Sequence, residues 1–325
     1  MPIPTRTETL NTFVSATAQH RRKDLVDNFF GSASLYAKLK KRGNTPLRGG
    51  EEIRVPHVYA GMTASSYGRG DEFDTATREF ATVMRFNWKF SYAAVNLDVI
   101  DVDLNDSPEQ VFDLVDAALE TAELSLIDDM SDQLFGDGTG NASKDMDGLA
   151  IAVSRTGSYG GITRGTDDQG SSIRAAFEDT TGGSITLANM NTQFGVAVIA
   201  REAPDLLVTT QTLWSRIWER SQPSERSEAS DMRDIGYKIV RFNGADVTVD
   251  SHTPSGLLYF LNTKWWDWYT HSKWDFRFRG FMEPTNQQRA IGQLIAWGNI
   301  ICRSPRLQGV MSGLSSLLLV WLGAF

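Results

Sequence analysis

A single cysteine, Cys302, stands in 325 residues, so no internal disulfide and no four-thiolate zinc site can form. Histidine is almost as scarce: His20, His57, His252 and His271 are the only four, and none belongs to a metal-binding H-E-x-x-H pair. No nucleophile elbow of the form G-x-S-x-G occurs. The N-terminus "MPIPTRTETLNTF" lacks the apolar core of a signal peptide. The longest apolar run, "LLLVWLGAF" at the end of the chain, is far short of the roughly 20 residues that cross a bilayer. These absences speak against a secreted disulfide scaffold, a zinc enzyme and a membrane span.

Charge of one sign is also missing over a long stretch. Residues 90–143 contain no lysine or arginine, yet hold Asp98, Asp101, Asp103, Asp106, Asp113, Asp116, Glu120, Glu123 and further acids. The first 50 residues are the reverse, with Arg21, Arg22, Lys40, Lys41 and Arg42 among nine cations set against three acids. The net charge is −8. Two readings remain open on composition: a basic arm that meets an acidic surface, or two solvated faces of one monomer.

What is present is enough for a core. Hydrophobic residues make up 41% of the chain and charged ones 22%, a globular balance spread over one large or two joined domains. The stretch "LYAKLKKRGNTPLRGG" is broken by Gly43, Pro46, Gly49 and Gly50 and is expected to be extended, with little core of its own. "EEIRVPHVY" and "EFATVMRFNWKF" predict two strands joined by a tip of about 15 residues. In the second strand Phe80, Met84, Phe86, Trp88 and Phe90 share one parity, the mark of a half-buried strand. An isolated hairpin is marginal, so this one must lie on something else.

A long helix is predicted over 108–135. Ser107 serves as N-cap, Pro108 fits the first helical position and Gln110 completes a capping box. Val111, Val115, Ala118, Leu119, Ala122, Leu126 and Met130 recur at three- and four-residue steps along one stripe, over a length of roughly 40 Å. Gly136, Gly138 and Gly140 then end it. The loop "LFGDGTGNASKDMDGLA" looks like a phosphate cradle, but its glycines follow a helix instead of preceding one. It fits neither G-x-x-x-x-G-K-[ST] nor G-x-G-x-x-G.

Beyond it, "GLAIAVS" reads as a short strand, "LANMNTQFGVAVIARE" as a helix and "DLLVTT" as a buried strand. "TLWSRIWERS" reads as an amphipathic helix with Leu213 and Ile217 inward, and "QPSERSEASDMRD" as an exposed loop. "GYKIVRF", "ADVTVD", "GLLYFL", "WDFRFRGF" and "QLIAWGNIICRS" are strand-like, giving an α+β pattern.

Candidate chemistry is thin. His252 with Asp250 could form an acid–base pair, against a structural turn histidine. Asp128, Asp129 and Asp132 lie opposite the apolar stripe and read as a solvated face. The run "KWWDWYTHSKWDFRFRGF" mixes tryptophans with Arg277 and Arg279, as single-stranded nucleic acid sites do. Yet Trp274, Phe276 and Phe278 alternate as one core-facing strand would, which favours packing. No catalytic, cofactor or metal residue is assigned.

Taken in order, "LFGDGTGNASKDMDGLAIAVS", "GSYGGITR", "APDLLVTTQTLW", "VDSHTPSGLLYFLNT" and "WGNIICRSPRLQGVMSG" give the chain a specific look. Over residues 30 to 313 it resembles the major capsid proteins of tailed bacteriophages, which share the Hong Kong 97-type fold. The resemblance implies an N-terminal arm (1–50), an extended loop over a neighbouring subunit (51–97), a peripheral domain on the long helix (98–184), an axial domain (185–298) and a return with a C-terminal tail (299–325). The residues expected to meet other subunits are Arg21, Arg22, Lys40, Lys41, Arg42, Tyr67, Arg69, Asp71, Arg85 and Lys89. Some relatives join a lysine to an asparagine between subunits; Lys89 is imaginable there, although no catalytic carboxylate is specified. Asp113, Asp116, Glu120 and Glu123 would form an acidic inner helix face that repels packaged DNA.

The implied function is self-assembly as hexamers and pentamers into an icosahedral head. The head encloses double-stranded DNA without reading its sequence, and no cofactor or membrane is involved. Portal and separate scaffolding or decoration proteins are implied partners; assembly in the bacterial host cytoplasm and residence in the virion are the implied locations. An encapsulin-like compartment shares this fold and is the alternative. A soluble carbohydrate- or nucleotide-acting enzyme, or a nucleic-acid-binding module, would be a different class. The apolar stretch from Leu314 to Phe325 lies outside the family pattern.

Overall fold

The structure, a computed structural model, describes residues 34–98, 108–165, 168–225, 240–282, 284 and 289–315. Arg21, Arg22, Ser107 and most of the apolar tail lie outside the described residues.

Two sheets and one long helix organise the chain. The first sheet runs Asn44–Leu47, Trp266–His271, Arg289–Cys302, Arg277–Met282, and Lys89–Asp98 also pairs with Arg289–Cys302. Ile291, Gln293, Leu294 and Ile295 of the Arg289–Cys302 strand are paired on both edges, with Arg277–Met282 and with Lys89–Asp98. The register sets Leu294 opposite Ala93 and Ala296 opposite Ser91 on one face, with Ile295 opposite Tyr92 and Trp297 opposite Phe90 on the other. Successive side chains point to opposite faces, so each face is a fixed set of residues.

One face takes the Pro108–Phe135 helix: Leu119 and Ala122 pack with Val95, Leu97 and Phe281. Its bounds match those predicted, and Leu119, Ala122, Leu126 and Met130 of the predicted stripe are buried. The side chains of Val111, Asp113, Val115 and Asp116 lie outside the described residues.

The second sheet runs Val240–Phe242, Ala245–Val249, Leu206–Thr209, Leu258–Leu261, Gly309–Met311, Phe177–Asp179. Its central strands, Leu206–Thr209 and Leu258–Leu261, are buried at every residue. The reason is cover on both sides. Leu207, Leu258 and Phe260 pack with Met190, Leu213 and Ile217 of the helices Leu187–Ala197 and Gln211–Glu225. Leu206, Val208, Tyr259 and Leu261 face the core that holds Leu134 and Phe135. Strands buried on both faces read as continuous apolar runs, as these do. The span 185–298 is thus divided between the two sheets, with Trp266 onward in the first.

Four local expectations are corrected. Residues 34–42 form a helix, not an extended segment, because Leu35, Tyr36 and Leu39 supply a stripe that is fully buried. "GLAIAVS" makes a helical turn at Leu149–Ala152 in place of a strand. The segment around Trp274 is a turn between two strands: Trp266 and Trp268 enter the core, and Phe276 has a φ of 49°. Finally, the even parity expected through Phe90 stops at Trp88. Met84 and Phe86 are buried before it, while Lys89, Ser91, Val95 and Leu97 are buried after it. Trp88 belongs to neither strand, and its indole N–H donates to the Gly50 carbonyl at 2.9 Å.

The glycine loop closes the long helix. Asp137 accepts from the Thr139 amide at 3.0 Å, and the Ala150 amide donates to the Gly136 carbonyl at 3.2 Å. Gly148 sits against the helix end so closely that a Cβ there would lie 2.6 Å from the carbonyl oxygens of Gln133 and Gly136.

Candidate assembly surface

The strands Glu52–Val58 and Ala81–Asn87 form the hairpin. Its base has support within its own chain: Ile53, Val55, Met84 and Phe86 are buried against Tyr159, and the Arg85 amide donates to the Gly160 carbonyl at 2.9 Å. His57 joins it to the segments beyond, with Nε2 2.8 Å from the Ser172 hydroxyl. Burial holds the His57 imidazole below its ordinary pKa, against a hydrogen bond to the Arg303 backbone that raises it.

Beyond the base the hairpin is bare. Every residue from 61 to 80 is exposed, including Met62 at 61%, Tyr67 at 71% and Phe73 at 66%. Tyr67 and Phe73 meet edge-on at 5.0 Å. Asp74 accepts from the Ala76 amide at 3.0 Å and pairs with Arg78, so its carboxyl lies below the usual range. Residues 61–80 carry four acids (Asp71, Glu72, Asp74, Glu79) against Arg69 and Arg78. Tyr67, Arg69 and Asp71 stand together at this tip, and Arg85 is exposed nearer the base.

A second bare surface lies on the first sheet, opposite the long helix. Phe90 is 58% exposed, Tyr92 72% and Met282 57%. Trp297 stacks on Trp274 at 5.0 Å and meets Phe90 edge-on at 5.0 Å. Register puts Arg277 beside Ile295 and Arg279 beside Gln293 along the same face, and the Arg277 guanidinium lies 5.2 Å from the Trp274 ring centroid. Single exposed apolar side chains are ordinary; a contiguous set marks a contact site. Residue reading missed this surface, because the parity change at Trp88 is invisible in the pattern.

The expected cations divide. Lys41 is exposed. Lys40 lies 3.5 Å from Asp275 and 4.1 Å from the Phe276 ring centroid, and Arg42 lies 2.7 Å from Asp205, so both tie their helix to their own chain. Lys89 is placed differently from a residue that reaches a neighbour. It is buried, 3.6 Å from Asp147 and donating to the Ser143 carbonyl at 3.0 Å. Asp147 in turn accepts from the Asn299 amide nitrogen at 2.8 Å.

Of the acidic residues, Glu120 is exposed and Glu123 half-buried on the long helix. Asp129 is held above the ordinary carboxylate range by burial and then by Asp145. His252 meets Asp250 at 3.4 Å as read from the sequence, and also Asp128 of the long helix at 2.8 Å, which the sequence did not reveal. Asp250 additionally accepts from the Leu35 amide, so this pair braces two helices. Among the described residues no group of three or more metal-ligating side chains occurs, and no helix is long and apolar enough to cross a membrane.

No family model matches the chain, and no curated protein matches it. Solved structures do. The capsid asymmetric unit of cyanophage A-1(L) aligns with a TM-score of 0.68 at 13% identity, covering 85% of this chain and 92% of that one. The holo-SrpI encapsulin complex from Synechococcus elongatus aligns at 0.58 with 11% identity, covering 88% and 90%. A chain from Mycobacterium phage Bobi aligns at 0.56 with 9% identity, covering 85% and 90%. The chain therefore has the Hong Kong 97-type fold, a mixed α and β architecture that phage capsid proteins and encapsulins share.

Proposed function

We propose that this is a shell-forming protein, and specifically the major capsid protein of a tailed double-stranded DNA bacteriophage. It would self-assemble as hexamers and pentamers into an icosahedral head. One observation carries the reading: every residue from 61 to 80 is exposed, and four of them, Met62, Tyr67, Phe73 and Phe80, are large apolar side chains. A surface suited to them is the aromatic sheet face of a second copy. The hairpin end carries a net charge of −2 by its four acids and two arginines, and the face carries Arg277 and Arg279. Burial of apolar area with opposed charges is how stable interfaces are built.

On this proposal Tyr67, Arg69, Asp71 and Arg85 contact the neighbouring subunit, while Arg21, Arg22 and Lys41 belong to the arm. Residues 51–97 act as the extended loop, 98–184 as the peripheral domain and 185–298 as the axial domain. The role is structural, without catalysis. The partners would be copies of the chain, a portal, separate scaffolding or decoration proteins, and DNA packed without base readout. The protein would assemble in the host cytoplasm and remain in the virion.

An encapsulin-like compartment is the second reading, supported by the similarity to the Synechococcus complex. Size-exclusion chromatography followed by electron microscopy of the expressed chain tests the first step. Capsomers or closed particles are expected, and replacing Tyr67 and Phe73 with serine should lower their yield while leaving the subunit folded. A compact monomer at high concentration would overturn the proposal. Nucleic acid inside particles formed during infection supports the capsid reading; a co-purifying protein cargo in its place supports the compartment.

A further inference from the structure

Arg155, Arg174 and Arg306 line one cavity of about 400 Å3, together with Ser171 and an apolar wall that includes Val196 and Ile199. The arginines come from three separate segments that the backbone locks together. The Ala175 amide donates to the Ser154 carbonyl at 3.0 Å, and the Ala176 amide to the Gln308 carbonyl at 2.8 Å. Two of the guanidinium groups are held in place by carbonyls: Arg174 Nε donates to the Arg155 carbonyl at 3.2 Å, and Arg155 donates to the Ala176 carbonyl at 3.3 Å.

None of the three is in an ion pair among the described residues. Glu178 is close by, but its carboxylate accepts from the Arg155 amide at 2.8 Å and the Ser154 hydroxyl at 3.2 Å. The chain has 40 acids and only 32 cations, so a carboxylate for this cavity was not in short supply. Arg155 and Arg306 are exposed and Arg174 is half-buried, so water screens much of the repulsion among the three like charges, and an anion bound between them relieves the rest.

We propose that this cavity binds a phosphate-bearing anion with adjacent phosphoryl groups. Arginine forks match phosphate oxygens in pairs. Three cations call for more than the single charge of one carboxylate, and the volume lies within the range of small-molecule sites. Two sources share this chemistry, a free polyphosphate and the backbone of a nucleic acid. The site does not depend on the shell reading.

Binding of inorganic tripolyphosphate and of a short labelled DNA duplex to the full chain, at one fixed salt concentration, tests the site. Arg306→Gln is the cleanest variant, because Arg306 has no hydrogen bond among the described residues that its loss would break. Arg155→Gln and Arg174→Lys follow, with melting curves to establish folding. Tripolyphosphate should bind, and Arg306→Gln should weaken it by about tenfold or more, the loss of charge-assisted bonds. A duplex that binds more tightly and is displaced by tripolyphosphate identifies a nucleic acid backbone; the reverse order identifies a free polyphosphate. No binding of either probe, or binding that Arg306→Gln and Arg155→Gln leave within about twofold, overturns the proposal. So does a fall in oligomer yield in these variants without any anion binding by the parent chain, since the arginines would then serve carboxylates of another copy.

Discussion

The Lys89 ammonium lies 3.6 Å from the Asp147 carboxylate, and both side chains are more than four-fifths buried. Desolvation makes such a pair a weak source of net stability, but losing one member strands the other. Lys89→Met and Asp147→Asn should each destabilise the subunit by about 3–5 kcal/mol. Lys89→Met combined with Asp147→Asn should cost clearly less than their sum. Urea denaturation of the four proteins reads this coupling, and additive losses would show that the two groups do not act as a pair.

His57 makes the hairpin base sensitive to acid. Its folded pKa is lowered by burial, so the unfolded chain takes up the proton first. The stability His57 supports is fully present above the ordinary histidine value, near 6.5, and is lost as pH falls through the lowered folded value. Protection factors at residues 52–58 and 81–87, with the intrinsic pH dependence of amide exchange divided out, should therefore fall on acidification. In His57→Gln the same pH step should produce a smaller change. Equal pH responses in the two proteins would remove His57 as the cause.

Gly148 tests the closure of the long helix. A methyl group there meets carbonyl oxygens of the helix end at 2.6 Å or less, and backbone cannot move aside as a side chain can. Gly148→Ala should cost about 1–3 kcal/mol, the usual range for overpacking. Gly165→Ala, where nothing lies within 4 Å of the added carbon, is the control. Similar thermal shifts in the two variants would contradict the close approach.

These sites differ in how far they could be read before the fold was known. The long helix was legible to its last residue, because caps, breakers and the stripe from Leu119 to Met130 are local signals. The strands at 206–209 and 258–261 were legible for the same reason, as unbroken apolar runs. The partners of Lys89 were not: Asp147 and Asn299 come from a loop and a strand far along the chain, and only sheet register brings them together. Trp88 misled the pattern because a strand break that exchanges inner and outer faces leaves the alternation of residue types intact. His252 was half legible, with Asp250 two residues away but Asp128 on another element.

The acidic side of the long helix yields the last expectation, and it rests on the capsid reading. Residues 90–143 hold no cation, and Glu120 and Asp128 are exposed along the helix. If this side faces packaged DNA, its charge repels the phosphates and keeps the genome free to slide. Replacing Glu120 with lysine adds a counter-charge at each subunit, and the attraction it introduces is screened by salt. Asp113→Lys and Asp116→Lys extend the same change toward the start of the helix. Particles carrying these substitutions should form normally and release DNA more slowly at low ionic strength, with the difference shrinking as salt is raised. Release that matches the parent particles at every salt concentration would show that the acids serve solubility alone.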